Sequence, residues 1–580
     1  IGADPNNISV TGGTFNVTIE GGDTDFGIAS TAPFYNLNIS KDPGTGSELA
    51  LIRDLPFPDG TISGQELVVL NNFTLDNSNS NNPTFDANGF DVTIGNDFNI
   101  QSGATYQNTG SANTTTFDQT STQELNLDGT VSFDNLTIET GNTATINNSP
   151  TFTVNNTLTI TEGTLALGSG TMNVSGDVLN SGTITTGSGS VILNSSTASQ
   201  TLGGDGNGTF GNLEFSNTNG VGGSSQIDFT ANQTVTGTLT FNQDRLLDLD
   251  TYRLTLDTGG SLSAGSGSFG SSRMIITNGA ATAGGIRKNF TSSGGTITYP
   301  LGTGSDYTPA YHDLTNTDGA AGSITVRPVS SEHPNVTFQD SSLAYYWKVT
   351  KTGFGASPQI THQYTYVTSD IAPNDAASSY VYGRFNSSGL SWSFGNTGDV
   401  DEGSQLIGGG GTGLASVSFI SGDYTAGYSD AFGTIEIFYS RQNGNWNTNA
   451  TWSTVAIGGS AASSSPATGD AVVIGDESTD HTISVQAAQS ATATTLKLSN
   501  ASVLDLGTST GNDIGNVVEG QNDSGFGKLR IASANFPSGD WSDLLQSSDG
   551  IVEYYRDGSN FTLPAGVQNY PNLWLSTTSG

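Results

Sequence analysis

The sequence predicts an all-β protein: right-handed parallel β-helix modules, a solenoid, with an inserted Ig-like β-sandwich. Three observations carry this reading. Short runs of alternating apolar and polar residues fill the chain, separated by Gly, Asn and Ser. In NTLTITEGTLALGSGTMNVSGDVLNSGTI the apolar-x-apolar pairs Leu158/Ile160, Leu165/Leu167 and Met172/Val174 have first members seven residues apart, and Leu179 continues the series. One phrase, aromatic-x-Asn-Leu-x-apolar, occurs four times: FYNLNIS (Phe34 to Ser40), FDNLTIE (Phe133 to Glu139), FGNLEFS (Phe210 to Ser216) and YPNLWLS (Tyr570 to Ser576).

The first segment, residues 1–270, reads as β-helix repeats. Period-two alternation gives strands, and Gly163, Gly168 and Gly170 give corners. Seven residues per side and three sides make a coil of about 21 residues, stacked about 4.8 Å from the last. The Asn-Leu phrase is followed by a second one, VVLNNFTL, FTVNNTLTI or QTVTGTLTF, and then by FDVTI, MNVSG or YRLTL. The first three copies are 99 and 77 residues apart, as expected if corner loops vary around constant strands. In this phrase Leu faces the core, and Asn caps a turn or stacks on the next coil's Asn. An Asn ladder that binds a ligand is the functional alternative.

Residues 271–434 read as the sandwich. YYWKVTKTG, QITHQYTYV, YVYGRFN, LSWSF and ASVSFISGDYTAGY are longer strands with turn signals at sandwich intervals. Trp347 and Trp392 are expected in the core between two facing sheets. Residues 435–580 read as a second β-helix-like module. It opens on NGNWNTNATWS and closes on GIVEYYRDGSNFTLPAGVQNYPNLWLS, which restarts the first texture. The opening Ile1-Gly2-Ala3 is not a translation start, so the chain reads as a piece of something larger or a processed product.

Composition narrows the function. The chain has 580 residues, 16 Lys plus Arg against 53 Asp plus Glu, a formal charge of −37 and no Cys. Such a surface repels nucleic acid and anionic lipid, because phosphates need Lys and Arg to displace their counterions. Without Cys there are no disulfides, zinc–thiolate sites or thiol nucleophiles. No apolar run approaches the ~18 residues of a membrane span. Between Asp54 and Asp244 there is no Lys, Arg or His, so no Lys base, His-based triad or Arg clamp fits there. The few lysines also argue against Lys–Asn isopeptide cross-links, so rigidity is expected from the stack itself.

The phrases together resemble the very large cell-surface or secreted repeat proteins of Bacteroidota exported by the type 9 secretion system. The resemblance is carried by the aromatic-x-Asn-Leu phrase and by TYPLGTGSDYTPAYHDL with YYWKV and SGDYTAGY. It is carried also by NGNWNTNATWS with VVIG, GFGKLRI, FPSGDW and GIVEYY. It implies an extracellular, cell-surface location and a structural or adhesive role, adhesin-like, without naming a ligand. The sorting domain that usually ends such proteins is not in this sequence.

Catalytic chemistry is sparse. Parallel β-helices also carry polysaccharide lyases and glycosidases, so a carbohydrate-binding or carbohydrate-active protein is the alternative. A glycosidase needs two carboxylates about 5–10 Å apart in one cleft, and no local cluster singles itself out. His312, His333, His362 and His481 are scattered and show no His-x-His or His-Glu-x-x-His spacing. No enzyme is expected. Among cofactors, calcium is the one that the loops suit, with hard oxygen ligands. The candidates are Asp399, Asp401 and Glu402 in TGDVDEGS and Asp23 and Asp25 in GGDTDFG. Neither stretch completes a twelve-residue calcium loop, and a solvated acidic turn is the other reading. Asn-x-Ser/Thr matches, as at Asn16, Asn72, Asn135 and Asn173, are expected from composition alone. The partners expected are further copies, as a homo-oligomer, neighbouring repeats of the same long chain, or glycans and proteins of another cell's surface.

Overall fold

A computed structural model describes residues 10–576 apart from 21–24, 31, 45, 58–59, 63, 140, 219–225, 283, 337–340, 373–376, 388–389, 396–397, 409–413, 418–419, 434–435, 520–524, 557–562, 565–566, 568–569 and 571. The chain divides into two compact units, Ile1–Thr277 with Gly284–Thr291, and Asn278–Ala283 with Ser292–Gly580.

The first unit is a parallel β-solenoid with three faces. The first face starts with Thr14–Ile19 and Asn36–Lys41 and pairs in parallel, coil on coil, to Arg253–Leu256 and Gly285–Phe290. The second runs from Leu67–Val69 to Met274–Thr277, and the third from Phe26–Ile28 to Ser261–Ser263. The apolar pairs seen in the sequence take one face each. Leu158–Ile160 lies on the second, Thr164–Ala166 on the first and Thr171–Val174 on the third, and Leu158, Leu165 and Met172 are fully buried. The coil estimate holds here: Ser132 pairs with Thr153, 21 residues on, and Phe152 with Met172, 20 on. Elsewhere corners lengthen, as where Phe98 pairs with Leu125.

Two expectations are corrected. Leu179 does not continue the inward series: Val178 is buried and Leu179 is 42% exposed. The corner before it is one residue shorter, and Leu158 pairs with Val178. Gly176 makes this corner possible, since a Cβ there would stand 2.3 Å from the carbonyl oxygen of Asn156 in the coil below. The four Asn-Leu phrases also do not mark one long repeat. Asn36–Lys41 lies on the first face, Asn135–Ile138 on the second, Leu213–Phe215 on the third, and Asn572–Ser576 in the second unit. Any face of a solenoid offers the same environment to a short strand, so the phrase recurs by local rule rather than by position.

Inward side chains stack into columns. Phe98 stands 5.4 Å from Phe73 and 5.1 Å from Tyr106, and Tyr106 stands 5.5 Å from Phe133. Above them aliphatic side chains join further rings: Leu136, Ile160, Leu165, Val191 and Leu213 are buried, as are Phe152, Phe210, Phe215 and Phe241. Each such side chain contributes about 1.5–3 kcal/mol on leaving water.

In the second unit Gly322–Val329, Tyr346–Gly353, Gly422–Gly427, Val381–Asn386 and Ser391–Phe394 form one antiparallel sheet. Gly295–Tyr299, Ala310–Asn316 and Gln359–Thr365 anchor another. The two sheets meet across aromatic rings: Tyr364 stands 5.1 Å from Trp347 and 5.0 Å from Tyr424. Trp347 is fully buried there. Trp392 is not in this core. It points from the opposite face of its sheet, packs against Phe432 and Phe385, and donates Nε1–H to the Asn335 carbonyl. That outer face is covered by a second stretch of parallel solenoid, with Phe385 and Leu390 packed against Ala471 and Val473. Alternation alone cannot tell a strand buried on one side from one buried on both.

The second solenoid stacks Ile437–Ser440, Ala471–Ile474, Thr492–Leu498, Asp513–Glu519 and Ser538–Asp540 on one face. Thr482–Ser484, Val503–Asp505, Lys528–Ile531, Ile551–Tyr555 and Asn572–Ser576 form the other. Its core holds Trp446, Trp452, Leu496, Leu504, Leu529 and Val552. Among the described residues the one α-helix is Ser542–Gln546, too short to leave a helical period in the sequence.

Candidate functional site

The Asn-Leu phrase was the first candidate for a binding ladder. Its polar atoms are spent on the fold. Asn36 Nδ2 donates to the Gly13 carbonyl (3.0 Å), Asn135 Nδ2 to Asn113 (2.9 Å), Asn212 Nδ2 to Gly189 (2.9 Å) and Asn572 Nδ2 to Ser548 (2.9 Å), each in the preceding coil. On the other side, Asn36 Oδ1 accepts from Asn72 N–H (3.1 Å), Asn135 Oδ1 from Thr157 N–H (3.1 Å) and Asn212 Oδ1 from Thr238 N–H (2.9 Å). One amide thus staples three coils at a corner, where the strand ladder has ended and backbone groups lack partners. Buried glutamines do similar work: Gln200 Nε2 donates to Val174 and Gly176 while its Oε1 accepts from Ser195 N–H.

The first face of the first unit is the candidate contact surface. In its early coils Asn16, Asn38, Thr74, Asn99, Asn126 and Asn147 form one outward column by register. Further along, Thr143, Thr164, Thr183, Thr209, Thr234 and Thr255 form another. Apart from Asn16, which is exposed on the first coil, these side chains are half-buried between their neighbours in the column. Asn126 bonds to Asn99 (2.5 Å) and Asn147 to Asn126 (2.8 Å). A hollow of about 270 Å³ lies on this face, lined by Thr74, Asn99, Ile100, Gln101, Asn126 and Asp128. The arrangement presents amides and hydroxyls at strand spacing.

The acidic candidates fall apart from one another. Asp401 Oδ1 accepts from Gly403 N–H (2.9 Å), and its Oδ2 accepts from Ser404 Oγ (2.8 Å). These bonds from Ser404 and Gly403 hold its carboxyl below the ordinary value. Asp399 and Glu402 stand on the same turn, where Gly408 N–H donates to the Asp399 carbonyl (2.7 Å). Asp25 Oδ1 accepts from Leu49 N–H (3.1 Å) and its carbonyl from Arg53 (3.0 Å); Asp23 lies outside the described residues. Among the described residues no group of three or more His, Asp or Glu is arranged to hold a metal ion.

The structure brings together two of the histidines that the sequence leaves scattered. His312 and His362 sit opposite each other on adjacent antiparallel strands, with ring centroids 5.9 Å apart, both buried. His362 Nδ1 shares a hydrogen bond with Tyr364 Oη (2.8 Å). Burial, and then the Arg384 charge, push His362 down to about 3, and burial with His362 beside it holds His312 well below its ordinary value. These are neutral core groups. His333 instead meets Asp423 (3.1 Å) and His481 meets Ser440 (2.8 Å).

A charged ladder on the second solenoid is the feature that sequence reasoning missed. Arg530 pairs with Asp505 (2.9 Å) and Glu553 (3.1 Å), Lys528 pairs with Glu553 (3.1 Å), and Lys528 Nζ lies 4.1 Å over the Trp574 ring. Tyr555 donates to Asp505 (2.7 Å) and lies under the Arg530 guanidinium. Burial pushes the Glu553 carboxyl up, but Ser576, Lys528 and Arg530 outweigh it, so it stays below its ordinary value. The signal was present as outward positions two apart in KLRI and VEYY, but pairing them needs the coil register. Beside this solenoid a shallow hollow of about 510 Å³ is lined partly by Ser509, Asn512, Asn535, Phe536 and Pro564.

No family model matches this chain, and neither a curated protein nor a solved structure matches it.

Proposed function

We propose that this chain is a structural and adhesive segment of a large bacterial extracellular surface appendage, giving reach, stiffness and attachment. The observation that supports it is the parallel register of the first face, kept coil after coil from Thr14–Ile19 to Gly285–Phe290. Each coil adds about 4.8 Å, so the twelve strands described on this face give a rise of roughly 50 Å, each strand between the first and the last pairing with a neighbour on both sides. The chain spends its polar side chains on joining coils, which favours a shaft. The uncharged columns of Asn and Thr offer an attachment face to a polar surface on another cell or on a further copy. Negative-stain microscopy of the chain beside the native cell surface, with and without a calcium chelator, tests the reading. Rods matching a surface appendage in width support it, and collapse on chelation assigns calcium to the acidic turns. Compact single particles with no counterpart on the cell overturn it.

A carbohydrate-binding role is the second reading. It is favoured by the exposed Trp574, since exposed aromatic rings stack on sugars, and glycan arrays separate the two.

A further inference from the structure

We propose that Lys348 and Asp540 become joined by an intramolecular amide bond, an isopeptide, with Asp543 as the proton-transfer group. The sequence reading set aside Lys–Asn bonds because lysine is scarce; the fold places one of its six lysines against an aspartate.

Lys348 is in the middle of Tyr346–Gly353, on the sheet face that the second solenoid covers. Its Nζ is 3.0 Å from Asp540 Oδ2 and 3.4 Å from Asp543 Oδ2. The Lys348 and Asp540 side chains are 7% and 5% exposed, and Asp543 is 33% exposed. Asp540 Oδ1 accepts from the Ser542 backbone N–H (2.9 Å), which Ser542–Gln546 fixes in place. The other charges around the pair are Asp423, directly across the strand from Lys348 and bound to His333, and Arg327, across the neighbouring strand. Burial disfavours the charged amine, but the Asp540, Asp543 and Asp423 carboxylates outweigh it, so the pair rests as ammonium and carboxylate.

An ion pair held dry and in contact is costly, and its proton can move within the pair. Lys348 passes one proton to Asp540 Oδ2, giving a neutral amine and a neutral acid. The Nζ lone pair then attacks Asp540 Cγ, and the negative charge forms on Oδ1, where the Ser542 N–H already points. Nζ gives a second proton to the Asp543 carboxylate, which hands it to the Oδ2 hydroxyl. The Cγ–Oδ2 bond breaks and Oδ2 leaves as water. The ammonium and the carboxylate become one amide and one water, with no oxidant and no cofactor. Fixed proximity supplies what free amine and acid in water lack. The bond would fasten the antiparallel sheet to the second solenoid inside this unit.

Intact mass of the purified chain, measured under denaturing conditions, tests this. The expected mass is lower by one water, and trypsin yields a branched peptide joining the segments around Lys348 and Asp540, with no cleavage after Lys348. Lys348→Arg keeps the charge and cannot form the bond, so its mass is expected unshifted; this also separates the amide from succinimide formation at Asp-Gly steps, which loses water too. Asp540→Asn is expected to lose ammonia instead and reach the same product mass. Asp543→Asn keeps the pair in contact and is expected to lower the joined fraction at least tenfold. A folded wild-type chain of full mass, with a linear tryptic peptide ending at Lys348, overturns the proposal whatever the variants do. So does a shift that persists in Lys348→Arg.

Discussion

Replacing Asn212 with Ala removes one staple and leaves every strand in place. The side chain makes three bonds: Nδ2 to Gly189 (2.9 Å) and Gly187 (3.2 Å), and Oδ1 from Thr238 N–H (2.9 Å). Each is worth about 0.5–1.5 kcal/mol net, and a stranded donor costs about 1–3 more if water cannot reach it. Thr238 is half-buried at a corner, so water recovers part of that cost. The sum expected is about 2–3 kcal/mol. In a stacked fold the loss stays near the altered coil, so amide hydrogen exchange is the assay. Protection of the Thr238 amide should fall by about thirty- to one-hundred-and-fifty-fold, and protection in Thr14–Ile19, many coils away, should not change. Asn212→Asp keeps the acceptor for Thr238 and turns an anion toward two carbonyls, so Thr238 should stay protected while Gly189 loosens. Unchanged exchange at Thr238 in Asn212→Ala would refute the staple argument.

Three further outcomes are expected. Gly189→Ala should destabilise the first unit by about 2–4 kcal/mol, read from its urea midpoint, because the added Cβ would stand 2.0 Å from the Gly170 carbonyl oxygen. Stability should fall as pH drops from about 6.5 toward 3, by up to ~1.4 kcal/mol per pH unit for each of His312 and His362. Unfolded histidines take protons in that range and the buried ones do not. Asp370 is pushed up to about 6 by burial and works the other way, its contribution being lost as pH rises through about 4 to 6, so it flattens the middle of the curve. A His312→Asn, His362→Gln double variant that keeps the wild-type slope in urea melts would exclude this cause. Arg530→Met should cost about 1–2 kcal/mol at low salt and less at high salt, since it breaks the ion pairs to Asp505 and Glu553; an effect that ignores salt would mean packing alone.

Much of the solenoid was legible in the sequence, and the reason is local. Leu158, Leu165 and Met172 predict three faces because side chains alternate within a strand and corners need small residues, both of which are sequence-near facts. Leu179 shows the limit. A corner shorter by one residue swaps inward for outward, and nothing in SGDVLN marks the swap except the neighbouring coil on which Gly176 closes. Trp392 and Lys348 show a second limit. Both lie on strands of one sheet; Trp392 was expected in the core between two sheets, and the strand pattern around Lys348 names no partner for it. The covering layer comes from residues more than seventy positions later, such as Ala471 and Asp540. The paired histidines were invisible for the same reason, since register between Ala310–Asn316 and Gln359–Thr365 is set by the fold.

The recurrence of the Asn-Leu phrase is explained by the same physics. A short strand needs an inward Leu to fill the core and, just before it, a group that can serve two coils at once. Asparagine carries a donor and an acceptor on one short side chain, so it bonds backward through Nδ2 and forward through Oδ1. Aspartate lacks the donor, and Ser reaches less far. The phrase is therefore selected wherever a corner leaves carbonyls on one side and an N–H on the other, on any face. That is why copies appear at Asn36, Asn135 and Asn212 on three different faces, with the same bonds each time. It also explains why the chain can be so poor in charge. Neutral amides do the joining that ion pairs would do less well along a stack, where like charges at strand spacing repel. The places where charge does concentrate, around Arg530 and around Lys348, are where a different task is to be sought.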